Sequence, residues 1–387
     1  MRDPGDELHD LEAGGLRRRL RQIDSPQGVH VRLTGSGECL NFSSNDYLGL
    51  ANDGALKAIY QNHIDTYGVG SGSSRLVCGT MAAHVALEEK VASLKRTEAA
   101  LTFTSGFAAA TGALPSLCGK DDFLILDKLC HASLIDGARL SGATIRIYPH
   151  NDLNRLKSHL QWAAQRAAAT SRLVVVTESV FSMDGDLSPL AEIVELKDQY
   201  GALLLVDEAH AFGVLGPEGR GLGAALGLES RIDLQMGTFS KAVGLSGGYL
   251  CGSRAMADLL INRARSFIYS TAPGPALAAT VRDALDLVCG PRGDILREDL
   301  SANRETFSPG TPSAIIPIII GENEAALSAA ARLQERGFLV PAIRFPTVPK
   351  GSARLRITLS AAHRPDDITS LKSALADIVK TDYDPLP

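Results

Sequence analysis

The six cysteines, Cys39, Cys78, Cys118, Cys130, Cys251 and Cys289, contain no CxxC pair and none of the spacings that hold a metal. The chain therefore offers neither a disulfide framework nor a zinc site, and buried thiols in a reducing compartment are expected. Basic charge is short as well: 39 Lys and Arg stand against 44 Asp and Glu, for a net charge of −5 and a pI near 6.0. Binding nucleic acid without regard to sequence needs a basic footprint, so no nucleic-acid partner is expected. Long apolar runs are missing too. The longest late one, 315–320, is interrupted by Pro317 and is far too short to span a bilayer, and residues 1–8 carry no apolar segment of the secretory kind. A cytoplasmic protein without a membrane partner is expected. Finally, no strand candidate is followed by GxGxxG in the required context, which sets aside the nucleotide-binding dehydrogenases.

What is present is ordinary in bulk: 387 residues, 45% hydrophobic and 21% charged, enough for a large core and a smaller second unit. The informative part is local. Ala202, Leu203, Leu204, Leu205 and Val206 follow Gly201 as an apolar run too short for most helices, and read as a buried parallel strand. Asp207 and His210 fall just past its carboxyl end, where open α/β sheets place their ligands. Further on stands Gly237-Thr238-Phe239-Ser240-Lys241, followed by Gly244, Gly247 and Gly248. A lysine beside small hydroxyl residues and glycines sits where a bulky planar group can approach the backbone. A lysine that condenses with an aldehyde, and an acid that keeps a pyridinium nitrogen protonated, are what pyridoxal phosphate requires. Singly, the lysine reads more readily as a solvated surface group and Asp207 as a helix N-cap; it is their combination that points to the cofactor.

Strand candidates at 99–103, 122–127, 143–148, 172–177, 202–206 and 232–236 alternate with helix candidates at 82–94, 108–117 and 153–169. This pattern predicts an α/β fold, a doubly wound, mainly parallel sheet. An N-terminal amphipathic helix carrying the arginine run 17–19 and a hairpin at 29–42 form an arm over residues 1–44. The large domain is expected over 45–285. A long helix from about 281 leads to a smaller C-terminal α+β domain over 286–387, with strands at 314–320 and 355–359. The turn at Ser105, Gly106 and Phe107 into a helix gives free N–H groups that suit a phosphate, or is simply a strand-to-helix turn. Asn45 could bind a carboxylate or satisfy a turn, the glycine-rich stretch 68–75 is an anion cradle or a loop, and Arg354 and Arg356 alternate onto one face of the last strand.

At residues 41–50, 105–109, 131–134, 177–186 and 237–248 the chain resembles the α-oxoamine synthases, a family of fold-type-I pyridoxal-phosphate enzymes, and the resemblance runs from about Arg17 onward. It implies a dimer with shared active sites and an acyltransferase that joins an amino acid to an acyl thioester, delivered by coenzyme A or an acyl carrier protein. Lys241, His131, Asp207 and His210 match the catalytic residues. His131 would stack on the cofactor ring and His210 would meet its phenolic oxygen. The backbone of Gly106 and Phe107 and the side chains of Ser182, Thr238 and, from the other subunit, Thr271 would complete the cofactor site. Arg17, Asn45, His131, Arg356 and Thr358 would meet substrate, with Arg354 left structural or solvated. Residues 342–349 resemble the branch that uses L-alanine and a pimeloyl thioester. Other branches pair glycine with an acetyl or succinyl thioester, or serine with a long acyl thioester.

Overall fold

The structure, a computed structural model, describes residues 3–378, and the chain divides into two units. One holds residues 3–52, 183–185 and 298–378; the other holds 53–182 and 186–297. In the first unit a helix spans Pro4–Ala13 and stops at Gly14 and Gly15, the latter at φ +63°. The arginines at 17–19 therefore lie outside the helix they were expected to join. Strands β1 (His30–Leu33) and β2 (Gly37–Asn41) form the antiparallel hairpin, burying Val31, Leu33 and Cys39.

In the second unit the strands are β3 (Ala99–Phe103), β4 (Phe123–Asp127), β5 (Thr144–Tyr148), β6 (Leu173–Glu178), β7 (Leu203–Asp207), β8 (Leu234–Thr238) and β9 (Gly248–Gly252). They make one sheet in the order β3-β9-β8-β7-β6-β4-β5. Pairs from β8 through to β5 are parallel, and β9 alone runs against its neighbours. β3, β4, β6 and β8 are buried along their whole length, as expected for strands covered on both faces. Helices Gly106–Leu117 and Ala132–Ser141 pack closely on one another; a Cβ on Gly137 would lie 2.7 Å from the Ala110 carbonyl oxygen.

Two helix boundaries differ from expectation. Helix Leu153–Ala164 stops short of 169, because residues 165–170 have almost nothing to bury and alanine propensity alone does not sustain a helix end. The helix expected from about 281 is two helices, Pro275–Cys289 and Pro291–Phe307, broken at Gly290, the residue before a proline.

Returning to the first unit, β10 (Ile315–Gly321), β12 (Ala342–Ile343) and β13 (Ala353–Thr358) form an antiparallel sheet, while β11 (Phe338–Leu339) adds in parallel to β2. Through that pairing the N-terminal arm and the C-terminal residues, set apart as 1–44 and 286–387 in the sequence, share one unit. Among the described residues no helix is long and apolar enough to cross a membrane.

Candidate active site

The carboxyl ends of the parallel strands deliver the reactive groups. β7 ends on Asp207, with His210 in the turn beyond; β8 ends on Thr238, just before Lys241; the turn after β4 carries His131; and β6 ends on Glu178. These side chains, with Gly106 and Phe107, line one cavity of about 200 Å³. The lysine loop folds back on itself: Phe239 N–H donates to Gly247 O at 3.0 Å and Gly244 N–H to Lys241 O at 2.9 Å. Gly244 at φ +73° and Gly247 at φ +118° adopt backbone that other residues enter only with strain.

Lys241 Nζ lies 2.8 Å from His210 Nε2. Asp207 accepts from Ala209 N–H at 2.9 Å. Burial pushes the Asp207 carboxyl up, while Lys241, the Ala209 N–H and His131 pull it back toward the ionised form. His131 caps helix Ala132–Ser141, with Nδ1 2.8 Å from Ser133 Oγ. Desolvation, with Lys241, lowers its pKa against the pull of Asp207, and its flat imidazole faces the cavity.

Among the described residues nothing bonds the N–H groups of Gly106 and Phe107, the first two of helix Gly106–Leu117, whereas Ser105 Oγ already accepts from Ala108 N–H at 3.1 Å. Gly248 lets β9 pass close behind them; a Cβ there would lie 2.5 Å from Gly106 N. A pair of open N–H groups at a helix N-terminus, a lysine amine, a carboxyl that can meet a ring nitrogen and a flat imidazole share one cavity. This donor set fits pyridoxal phosphate. Thr238 Oγ1 donates to Gly247 O at 2.7 Å and lies 2.8 Å from Ser240 Oγ, so two hydroxyls stand at this end of the cavity. Sequence reading missed Ser240 as a site residue although it sits beside the lysine, and it missed Ser133 and Glu178, which also line the cavity. Ser182 and Thr271 do not: Ser182 is buried beyond β6, and Thr271 is exposed, in an isolated bridge with Ser74.

The remaining predicted residues belong to the first unit. Arg356 on β13 donates to Asn45 Oδ1 from Nη1 and Nη2, both at 3.2 Å, and to Thr358 Oγ1 at 2.8 Å. Tyr47, not singled out from sequence, is buried beside them with its hydroxyl 3.3 Å from Asn45 Oδ1; burial pushes its pKa up to about 12 against the pull of Arg356. Arg354 is buried as well but holds Asp184 Oδ1 at 2.6 Å and the Met183 carbonyl at 3.2 Å, which makes it structural. Arg17 pairs with Glu12 at 3.0 Å on a partly exposed surface.

The family model for class I and II aminotransferases matches residues 37–375. An 8-amino-7-oxononanoate synthase of Geobacter sulfurreducens is 47% identical over 384 residues, covering 97% of each chain. Among solved structures, a serine palmitoyltransferase of S. paucimobilis with bound PLP is similar at a TM-score of 0.89 and 28% identity, covering 96% of each chain. The 8-amino-7-oxononanoate synthase of Francisella tularensis is similar at 0.74 and 29%, covering 88% of this chain and 98% of that one.

Proposed function

We propose, for a chain that belongs to the class I and II aminotransferase family and within it to the α-oxoamine synthases, that it acts as an 8-amino-7-oxononanoate synthase. It joins L-alanine to the pimeloyl group of a thioester, with loss of carbon dioxide and of the thiol, in biotin biosynthesis. The observation that carries the reading is the meeting of Lys241, His210, Asp207 and His131 around one cavity whose far end offers two open helix N–H groups.

When bound, pyridoxal phosphate supplies an aldehyde for an amine and a protonated ring that withdraws electrons from the carbon beside that amine. The chain's own residues do the rest. The N–H groups of Gly106 and Phe107, with the Thr238 and Ser240 hydroxyls, hold the phosphate. Asp207 would keep a proton on the ring nitrogen, and His131 would offer its imidazole to the ring. Lys241 Nζ takes the α-proton of L-alanine and later returns one to the product, with His210 Nε2, 2.8 Å away, orienting the amine. Arg356, steadied by Asn45 and Thr358, binds the amino-acid carboxylate by its two-pronged guanidinium. Arg17 meets substrate, and coenzyme A or a carrier protein is the source of the acyl thioester.

The working form is a homodimer in which Thr271 reaches the partner's cofactor. The exposed apolar side chains Val69, Leu76, Val77 and Tyr269, on the segments joined by the Ser74 and Thr271 bridge, support that reading, because a monomer gains nothing by leaving them in water. The six cysteines, all free, support the cytoplasm as its compartment.

Thiol release by the cofactor-loaded protein tests the assignment, with L-alanine plus pimeloyl-CoA run beside glycine plus acetyl-CoA. Release confined to the alanine pair is expected. Release with glycine alone would move the chain to another branch of the family, and silence in both would overturn a coenzyme A donor of either length.

A further inference from the structure

Glu178 has no part in the mechanism above, yet it is placed in the middle of the site. β6 and β7 pair in parallel with Glu178 directly opposite Asp207, so two carboxyls stand side by side at the strand ends. Both are buried, at 2% and 5% exposure. The register that faces them is locked, since Ser179 N–H donates to Asp207 O at 2.9 Å and Ser179 Oγ to the same oxygen at 3.2 Å. The pair cannot slide apart. Two neighbouring buried carboxyls do not both ionise without a large cost, so the site must divide one charge between them.

The surroundings decide the division. Asp207 has the Ala209 N–H at 2.9 Å and is drawn toward the ionised form by Lys241 and His131. Glu178 is held up by burial and by the negative charge of Asp207, with Lys241 and the His131 N–H opposing. Asp207 is therefore the carboxylate and Glu178 keeps its proton. Neutral Glu178 still does one thing: its Oε1 accepts the backbone N–H of His131, the residue whose imidazole faces the same cavity. No other described hydrogen bond uses that N–H.

We infer that Glu178 is a positioning residue: it sets His131 through the backbone amide and leaves Asp207 as the one carboxylate presented to the ring nitrogen of the cofactor. The inference rests on pyridoxal phosphate binding here but not on the choice of amino acid or acyl group, and its test uses no substrate, so it can fail while the substrate assignment stands.

The test measures pyridoxal phosphate affinity by fluorescence and the pH titration of the bound cofactor's visible absorbance. It compares wild type, Glu178→Gln, Glu178→Ala, His131→Ala and the double alanine variant. Glutamine keeps the carbonyl acceptor and can never ionise, so E178Q is expected within about twofold of wild type in affinity, with the same spectral midpoint. E178A strands the amide of His131 and is expected to bind the cofactor about tenfold more weakly. In the His131→Ala background the same change should cost less than about twofold, because the side chain it positions is gone. An E178Q variant as weak as E178A, or with a displaced midpoint, would mean that Glu178 works as a carboxylate and would overturn the inference. So would an E178A variant that binds like wild type, or a tenfold loss that persists without the His131 side chain. If E178A does not fold, the E178Q spectrum and affinity decide alone.

Discussion

The strand-end cavity of one unit and the arginine strand of the other handle charge in opposite ways. Around the cavity nearly every reactive group can gain or lose a proton, and burial and near neighbours set which form it takes: Asp207 and Glu178 are pushed up and His131 down. On β13 the group proposed to hold the substrate carboxylate is a guanidinium, and what the fold supplies is direction, through Asn45 and Thr358. The difference matches two tasks. Moving a proton at carbon needs groups poised between states, whereas holding a carboxylate still needs one that never changes.

The largest effect expected from this contrast is in how the two units respond to pH. His363, in the arginine unit, stacks on Phe42 at 4.1 Å and accepts from Ser360 N–H at 2.9 Å. Burial pushes its pKa down to about 4. The unfolded chain takes up that proton first as pH falls, so stability present above about pH 6.5 is lost down to about pH 4, on the order of 3 kcal/mol. His150, in the sheet unit, has the opposite sign. Against burial, Asp127 at 3.0 Å and Asp186 at 2.7 Å raise its pKa to about 10. Its contribution is whole below about pH 6.5 and is lost as pH rises toward 10. Urea unfolding of the wild type, His363→Asn and His150→Asn at pH 4.5, 7 and 9.5 checks both: H363N should flatten the acid limb, and H150N the alkaline one.

Next in size, Arg356→Lys should raise KM for the amino acid about 10- to 100-fold while leaving cofactor affinity alone, since an ammonium cannot reproduce the two-pronged contact. Loss of cofactor binding in that variant would break the division of labour. Asp184→Ala leaves Arg354 buried without its carboxylate and should cost about 2 kcal/mol of stability, with no direct effect on KM. The smallest change is at Arg17, whose pair with Glu12 is solvated; R17A should alter stability by less than about 0.5 kcal/mol. A rise in KM for the acyl thioester in R17A would then report a substrate contact and not a folding defect.

The parallel strands were legible as short hydrophobic segments, whereas β9 was not among the candidates; Asp207 and His210 were legible past the end of one such run, Lys241 from its small-residue setting, and His131 through the family resemblance. What sequence could not supply is pairing across strands. Glu178 ends β6 in the same manner as Asp207 ends β7, and only the register of the two strands reveals that one must give up its charge. Arg354 and Arg356 look equivalent on β13. They are told apart by Asp184, which comes from a distant part of the chain. The arginine run at 17–19 was read into a helix because its charges suited one, but two glycines ended that helix first.

The most direct measurement is exchange of the α-hydrogen of L-alanine with deuterated water, followed by proton NMR with the cofactor-loaded protein and no acyl thioester present. Wild type should exchange it, and Lys241→Ala, though still able to bind the cofactor, should exchange about a thousandfold more slowly. Undiminished exchange without the lysine would place the base elsewhere and contradict the account of the cavity.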